Sequence, residues 1–359
     1  MIYREAGEFK ASYREDQAIL PIRQDRWFMW GLMAVAFLLI PAISSQYWLS
    51  TIMLPFLILA LAALGLNVLT GYAGQLSLGT GGFMATGAFA AYKLATMFPE
   101  LHIVVVILLA GLITAGVGII FGIPSLRIKG FYLAVATLAS QFFLIWMFNK
   151  FGWFTNYSSS GVISAPPMTV FGDFFVTGPH ATAVAKYLFA LSLVVFFAIM
   201  TKNLVRSNIG REWMAVRDMD IAAEIIGIKM LPTKLKAFAY SSFLCGIAGA
   251  LWAFVHTGSV EPLAFDVNRS FQILFMVIIG GLGSIMGAFL GSAFIVLLPI
   301  FLSNAPHLFG LNVAVDLISH IEFMVFGALI LFFLIVEPHG LARLWQIAKE
   351  KLRLWPFPY

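Results

Sequence analysis

Apolar runs of about eighteen to twenty residues recur along this chain, and their interiors carry almost no ionisable side chains. That is the length an α-helix needs to cross the hydrocarbon core of a bilayer. A charge at the bilayer centre costs roughly 2.5–3.5 kcal/mol or more, which is reason enough for the runs to exclude it. Lipid also offers no water to backbone groups left outside a helix. The expected fold is therefore all-α: a polytopic transmembrane helical bundle. Composition agrees, with 61% hydrophobic residues, 11% charged residues and a mean hydropathy of +0.93. Soluble domains are about 25% charged.

The charges between the runs set the expected sidedness. Residues 1–26 mix acidic with basic side chains and are too long and too acidic for the n-region of a signal peptide. They are expected to form a cytoplasmic N-terminal segment ahead of an uncleaved first span. Runs at 27–46, 52–69, 103–121, 133–148, 184–201 and 237–255 read as spans. Another ends near Met97, where Lys93 can extend its amine towards water. The uncharged stretch 149–183, with its serines and Pro166–Pro167, reads as an external loop or re-entrant segment. Residues 271–303 are long for one crossing and are interrupted by Gly280, Gly281 and Gly283. A single crossing would put the basic tail outside, against the positive-inside rule. A turn at GGLGS is expected instead, giving two short spans. With a last span at 321–336 the membrane domain covers 27–336, with about ten spans and both termini cytoplasmic.

Residues 337–359 are expected to form a cytoplasmic amphipathic tail lying on lipid. Leu341, Leu344, Trp345, Ala348, Leu352 and Trp355 share one helical face, and Arg343, Lys349, Lys351 and Arg353 lie among and beside them. Most of the 22 Lys and Arg residues thus fall on one side. The net charge of +5 then reflects orientation in a membrane, and nucleic acid is not an expected partner. Cys245, the one cysteine, lies inside an apolar run and reads as a small buried hydrophobe.

Residues 202–236 form the densest charged interval, with seven Lys or Arg and four Asp or Glu. From Arg211 to Ile226 apolar residues recur at helical spacing, and Gly227 is placed to stop the helix. Such a loop helix lies on headgroups as a solvated element or docks a cytoplasmic partner. Glycine-interrupted segments around 71–82 and 280–291 occupy comparable places in the two halves, which points to a binding or translocation site. Close helix packing explains the same glycines.

The chain has no GxxxxGK[ST] phosphate loop, no HExxH, no GxSxG and no CxxC. No cofactor or metal is expected on it. With no carboxylate deep in a span, a proton-relay pump is disfavoured. The deep polar residues are neutral, and Asn67, Gln75, Ser77 and Gln141 are the candidates for a solute path. They would serve equally as hydrogen bonds between helices. Glu261, Asp266 and Arg269, before the second broken segment, are candidates for contact at the outer entrance.

Four motifs carry a family resemblance: GLNVLTGYAGQLSLGTGGFMATGAF, LRIKGFYLAVATLA, GREWMAVRDMDIAAEIIGI and FMVIIGGLGSIMGAFLGS. Together they resemble the permease subunits of bacterial ABC importers for branched-chain amino acids, the LivM type rather than its LivH-type partner. The resemblance covers about residues 50–340. It implies a non-enzymatic subunit of the bacterial inner membrane. It also implies a second permease, two ATP-binding subunits and a periplasmic solute-binding protein as partners. Its loop signature falls on Ala222, Ala223, Glu224 and Gly227, in the order Ala-Ala-Glu rather than Glu-Ala-Ala. The loop then supplies the helix that couples to the ATPase, with Arg211, Glu212 and Arg217 around the contact. The family also carries urea, short amides and other small carboxylates, so the solute stays open. A self-sufficient channel or facilitator is the other class of reading, and it would need no ATPase dock.

The orientation has a direct test. In a Cys245→Ala background, an impermeant maleimide applied from outside is expected to label a cysteine at Ser158 but not one at Asn208 or Ala348. The reverse pattern overturns the orientation.

Overall fold

The computed structural model describes residue 12 and residues 23–125, 131–158, 161–170, 174–178, 181–308, 315–336 and 339–354. Helix α1 (Arg23–Ala34) runs on through a π-helical turn into Ile40–Ile43. Helix α2 (Leu54–Asn67) is flanked by π-helical turns at Trp48–Met53 and Val68–Tyr72. Then follow α3 (Thr80–Met97), α4 (Ile103–Ser125), α5 (Phe131–Lys150) and α6 (Ala183–Arg206). Two short helices, α7 (Asn208–Asp218) and α8 (Asp220–Ile225), make up the charged loop. Helix α9 (Met230–Leu251) extends as a π-helix over Trp252–Thr257. The chain ends with α10 (Val267–Gly280), α11 (Ile285–Leu308), α12 (Val315–Val336) and α13 (Gly340–Leu354).

Among the described residues, eight stretches are long and apolar enough to cross a membrane. They are Arg26–Ile43, Trp48–Tyr72, Ile103–Pro124, Tyr132–Lys150, Ala183–Arg206, Met230–Thr257, Pro262–Gly280 and Ile285–Asn304. The expectation of about ten counts two more helices. Helix α3 has the length, but glycines, threonines and Lys93 dilute its apolarity. Helix α12 occupies the place of the last span, and its apolar stretch Met324–Phe333 is shorter.

Helix α9 is the hub, packed against α4, α3 and α2. Ile58, Leu61 and Leu64 of α2 and Leu244, Ile247 and Leu251 of α9 have no exposed surface. Ile113, Ile120, Phe142 and Phe143, on α4 and α5, face outward. Lipid tails are as apolar as these side chains, so no hydrophobic force drives the helices together. Close approach of small residues replaces it. A Cβ on Gly87 of α3 would collide with the Gly246 backbone of α9.

The chain does turn back at Gly281 (φ +111°) and Gly283 (φ +74°) between α10 and α11. The same turn meets both charged elements. A Cβ on Gly281 would strike the His339 carbonyl at the start of the tail. One on Gly283 would lie 3.4 Å from Arg217 Nη1. The tail helix and the charged loop therefore occupy one end of the bundle.

The structure changes one expectation, the single loop helix, and adds detail to two others. The described part of the stretch 149–183 carries short strands. Its strand β1 (Ile163–Ser164) pairs antiparallel with Ser259–Val260, just before α10, and β2 (Thr169–Val170) pairs with β3 (Phe174–Phe175). The loop helix is two helices, broken at Met219 (φ −152°, ψ 97°). Aspartate competes with the helix for backbone partners, and here Asp220 Oδ1 accepts the Ile221 N–H at 2.9 Å. The tail helix docks by Leu341 and the buried Ala342, while Leu344 and Trp345 stay substantially exposed. Trp345 meets Phe28 of α1, ring centroids 6.2 Å apart. The side chain of Leu352, all of Trp355 and most of 1–26 lie outside the described residues.

The α3–α9 crossing predicts an asymmetry between glycines. Gly87→Ala is expected to lower stability by about 1–3 kcal/mol through overpacking. Gly116→Ala, with nothing within 4 Å, is expected to be neutral or slightly stabilising. Thermal melting in detergent checks both.

Candidate functional site

The two glycine-interrupted segments meet. Asn67, at the end of α2, accepts the Gly283 N–H through Oδ1 (2.9 Å) and donates through Nδ2 to the Ser284 carbonyl (2.8 Å). A Cβ on Gly71 would collide with Gly283 N and with Asn67 Oδ1, so only glycine lets the two backbones touch. Arg217, from α7, closes the seam: its Nη1 donates to the Gly71 carbonyl at 2.8 Å. Its Cγ would lie 2.9 Å from a Cβ on Gly74, whose φ of +67° also favours glycine. The outer edge of the guanidinium pairs with Asp218 at 2.8 Å. One arginine thus joins the charged loop to both broken segments.

A second bracket lies at the start of α3. Gln141 of α5 is fully buried. Its Oε1 accepts the Gly82 N–H and the Ser270 hydroxyl, and its Nε2 donates to the Phe265 carbonyl at 2.8 Å. Ser270 Oγ accepts the Gly81 N–H at 2.8 Å, and Thr137 Oγ1 accepts the Leu78 N–H at 2.9 Å. These side chains satisfy backbone groups that the break between Tyr72 and Thr80 leaves without helical partners.

The four path candidates therefore separate. Asn67 and Gln141 are structural brackets with their hydrogen bonds made. Ser77 Oγ accepts only a long bond, 3.4 Å, from Gly79 N. Gln75 is different: it is buried, and neither amide atom has a partner. Thr80 Oγ1, nearby in sequence, is also unpartnered, as is Trp252 Nε1. Sequence reasoning missed Ser270 as a partner of the break and Thr80 as a further unpartnered hydroxyl, because nothing in their spacing marks them.

The loop residues also separate. Gly210, Trp213 and Val216 are buried against the bundle, and Trp213 Nε1 donates to the Thr233 carbonyl at 3.1 Å. Glu212 lies 3.9 Å from Lys236, and Arg211 hydrogen-bonds Asn208. Ala222 is exposed, but Ala223 is buried in its own chain. The expectation that Ala223 approaches a partner is corrected: Ala223 packs inward, below the exposed apolar residues Met219, Ile221, Ile225 and Ile226. Glu224 is exposed and forms no ion pair among the described residues. Gly227 has φ +94° and ends α8 as expected: its N–H donates to Glu224, and the Ile228 N–H donates to Ala223.

At the opposite end, Asp266 caps α10 by accepting the Arg269 N–H at 3.0 Å. The Arg269 guanidinium stacks over Trp252, 4.3 Å from the ring centroid, and Nη1 donates to Gln272 at 2.7 Å. Asp266 and Arg269 hold the start of α10, while Glu261 is half-buried beside them in sequence. No group of three metal-ligating side chains occurs among the described residues.

The Asn67 bracket has a stability signature. Asn67→Leu strands the Gly283 N–H and the Ser284 carbonyl, at an expected cost of about 1–3 kcal/mol. Ser77→Ala should cost less. Denaturation of the purified chain in detergent compares them.

Residues 48–335 match the family described as branched-chain amino acid transport system / permease component. The high-affinity branched-chain amino acid transport system permease protein LivM of Salmonella typhimurium is 33% identical over 261 residues, which cover 67% of this chain and 60% of that protein. The Escherichia coli K12 protein of the same name aligns to the same extent, at 33% identity. The probable LivM of Methanocaldococcus jannaschii is 27% identical over 67% of this chain and 68% of its own length. The match thus spans 60% of the length of the first two relatives. No solved structure matches the chain. A family match that runs from the start of the second span to the end of α12 leaves one conclusion: this multi-pass membrane protein belongs to the permease components of branched-chain amino acid transport systems.

Proposed function

We propose that the chain is the membrane-spanning permease subunit of an ATP-driven importer in the bacterial inner membrane, carrying branched-chain amino acids or a related small polar solute. The observation that carries this reading is the two-sided loop. Its inner side is anchored in the bundle by Trp213 and Val216 and tied by Arg217 to the seam of the broken segments. Its outer side presents Met219, Ile221, Ile225 and Ile226, each at least 70% exposed. Four large apolar side chains at the charged end of a membrane protein, rimmed by Asp220 and Glu224, have the form of an interface core with a polar rim.

The partner we assign to that patch is an ATP-hydrolysing subunit, two of which would serve this chain and a second, LivH-type permease. A periplasmic binding protein would deliver solute at the opposite end, near Glu261. No cofactor is assigned. The chain itself carries no phosphate loop, so the energy would enter through the patch. A movement of α8 would pass through α7 and Arg217 to Gly71 and Gly283, and so to both broken segments at once. Gln75 is the side chain we place on the solute path, because its buried amide alone among the four candidates still lacks every partner.

Two variants separate docking from transmission. Ile225→Asp lies on the surface and should leave the fold within about 0.5 kcal/mol. It should weaken ATPase co-purification at least about tenfold, or roughly 1.4 kcal/mol. Arg217→Ala should keep assembly and lose solute-stimulated hydrolysis. Full assembly and full stimulation in both variants overturn the coupling role. Saturable uptake by proteoliposomes holding this chain alone, without ATP, would favour a facilitator.

A further inference from the structure

A groove of about 420 Å³ runs between α3, α4 and α5, on the lipid-facing side of the bundle. Ala90 and Leu94 of α3, Ile113 and Ile120 of α4, and Phe143 and Met147 of α5 line it. Its floor is rigid. Phe89 stacks on Phe148 with centroids 4.5 Å apart, and Phe154 stands edge-on to Phe148 at 5.0 Å. The one hydroxyl in the lining, on Thr86, is bonded back to the Gly82 carbonyl at 2.8 Å. A transported polar solute would find no partner on these walls, and an apolar cavity of this kind does not hold water.

One end is different. Lys93 and Trp153 close the groove where α5 gives way to the loop after Lys150. The Lys93 ammonium lies 4.5 Å from the Trp153 ring centroid and donates one hydrogen bond to Asn156. Asn156 is held in turn by a bond from Nδ2 to the Tyr92 hydroxyl at 2.7 Å. An ammonium has three N–H donors, so the ring and Asn156 leave one of them over. Trp153 (47% exposed) and Tyr157 (81% exposed) flank this end. Aromatic rings of that kind sit at headgroup level.

We propose that this groove holds one acyl chain of an anionic phospholipid, with the lipid phosphate on Lys93. The site stands apart from the α7–α8 loop and exists whether or not the chain works in an importer. Apolar burial does not select the occupant, because a lipid tail gains little by leaving other lipid tails. What selects is shape and charge. An unfilled slot forfeits dispersion contacts along its walls, and a flexible chain restores them. Lys93 then discriminates by headgroup, since a cation at the membrane surface attracts anionic lipid. The expected preference from one lysine is about fivefold.

Trp153 reports on the site directly. The full chain, with whatever subunits co-purify, is reconstituted in vesicles containing brominated phosphatidylglycerol or brominated phosphatidylcholine at equal mole fraction. The chain has nine tryptophans, so the signal is the difference between the native protein and Trp153→Phe. Phosphatidylglycerol is expected to quench this signal at about one-fifth of the mole fraction that phosphatidylcholine needs. Lys93→Gln should erase the preference, and Lys93→Arg should keep it. Ala90→Phe, which fills the groove, should reduce quenching by both lipids. Equal quenching by the two lipids in the native protein overturns the proposal, as does a preference that survives Lys93→Gln. Absence of quenching by either lipid overturns it too, and assigns the groove to a protein partner.

Discussion

A backbone that leaves the helix inside a membrane must find partners for its N–H and C=O groups within the protein. This bundle breaks at 73–79 and again at 281–284, and side chains from distant segments meet that demand. Asn67 serves the second break from the end of α2. Gln141, Ser270 and Thr137 serve the start of α3 from α5 and α10. Arg217 takes the Gly71 carbonyl from outside the bundle. Each bond is worth about 1 kcal/mol net, but the same groups left unmet would cost more. The breaks persist because this neighbourhood supplies their partners.

That arrangement gives the charged loop mechanical access to the interior. Helix α7 is held by Trp213 and Val216, so it cannot slide freely over the surface. Its Arg217 touches the point where Gly71 and Gly283 leave no room for side chains. Helix α8 follows the Met219 break, with Ala223 buried on its inner side and its large apolar residues exposed on the other. Under the proposed coupling, the anchored inner helix and the exposed second one would act as a lever between a partner and the seam. Gln75 lies one residue beyond Gly74, where Arg217 packs, so the unpartnered amide is close in the chain to the Arg217 contact.

The lipid-facing side follows other rules. Helices there meet through small residues, as at Gly87 and Gly246, because lipid gives them no hydrophobic reason to associate. Between α3, α4 and α5 the packing leaves an apolar groove on that side. The loop after α5 then sets Trp153 and Asn156 beside Lys93 at its mouth.

The sequence by itself determined that this is a helical membrane bundle, where most spans lie, that the chain reverses at Gly281–Gly283, and that a charged helical loop ends at Gly227. Those are local properties: run length, helical period, and the conformations that glycine permits. The family motifs were legible for the same reason, as contiguous strings. Only the tertiary structure decided which polar residues are structure and which are left for function. Asn67 and Gln141 looked like Gln75 in the sequence. Their partners lie 217 and 124 residues away, at distances in the chain that no spacing encodes. Ala223 looked like a contact residue, but in the folded chain it is buried beneath the exposed face of α8. Helix period fixes which residues share a face, but only packing decides what that face meets.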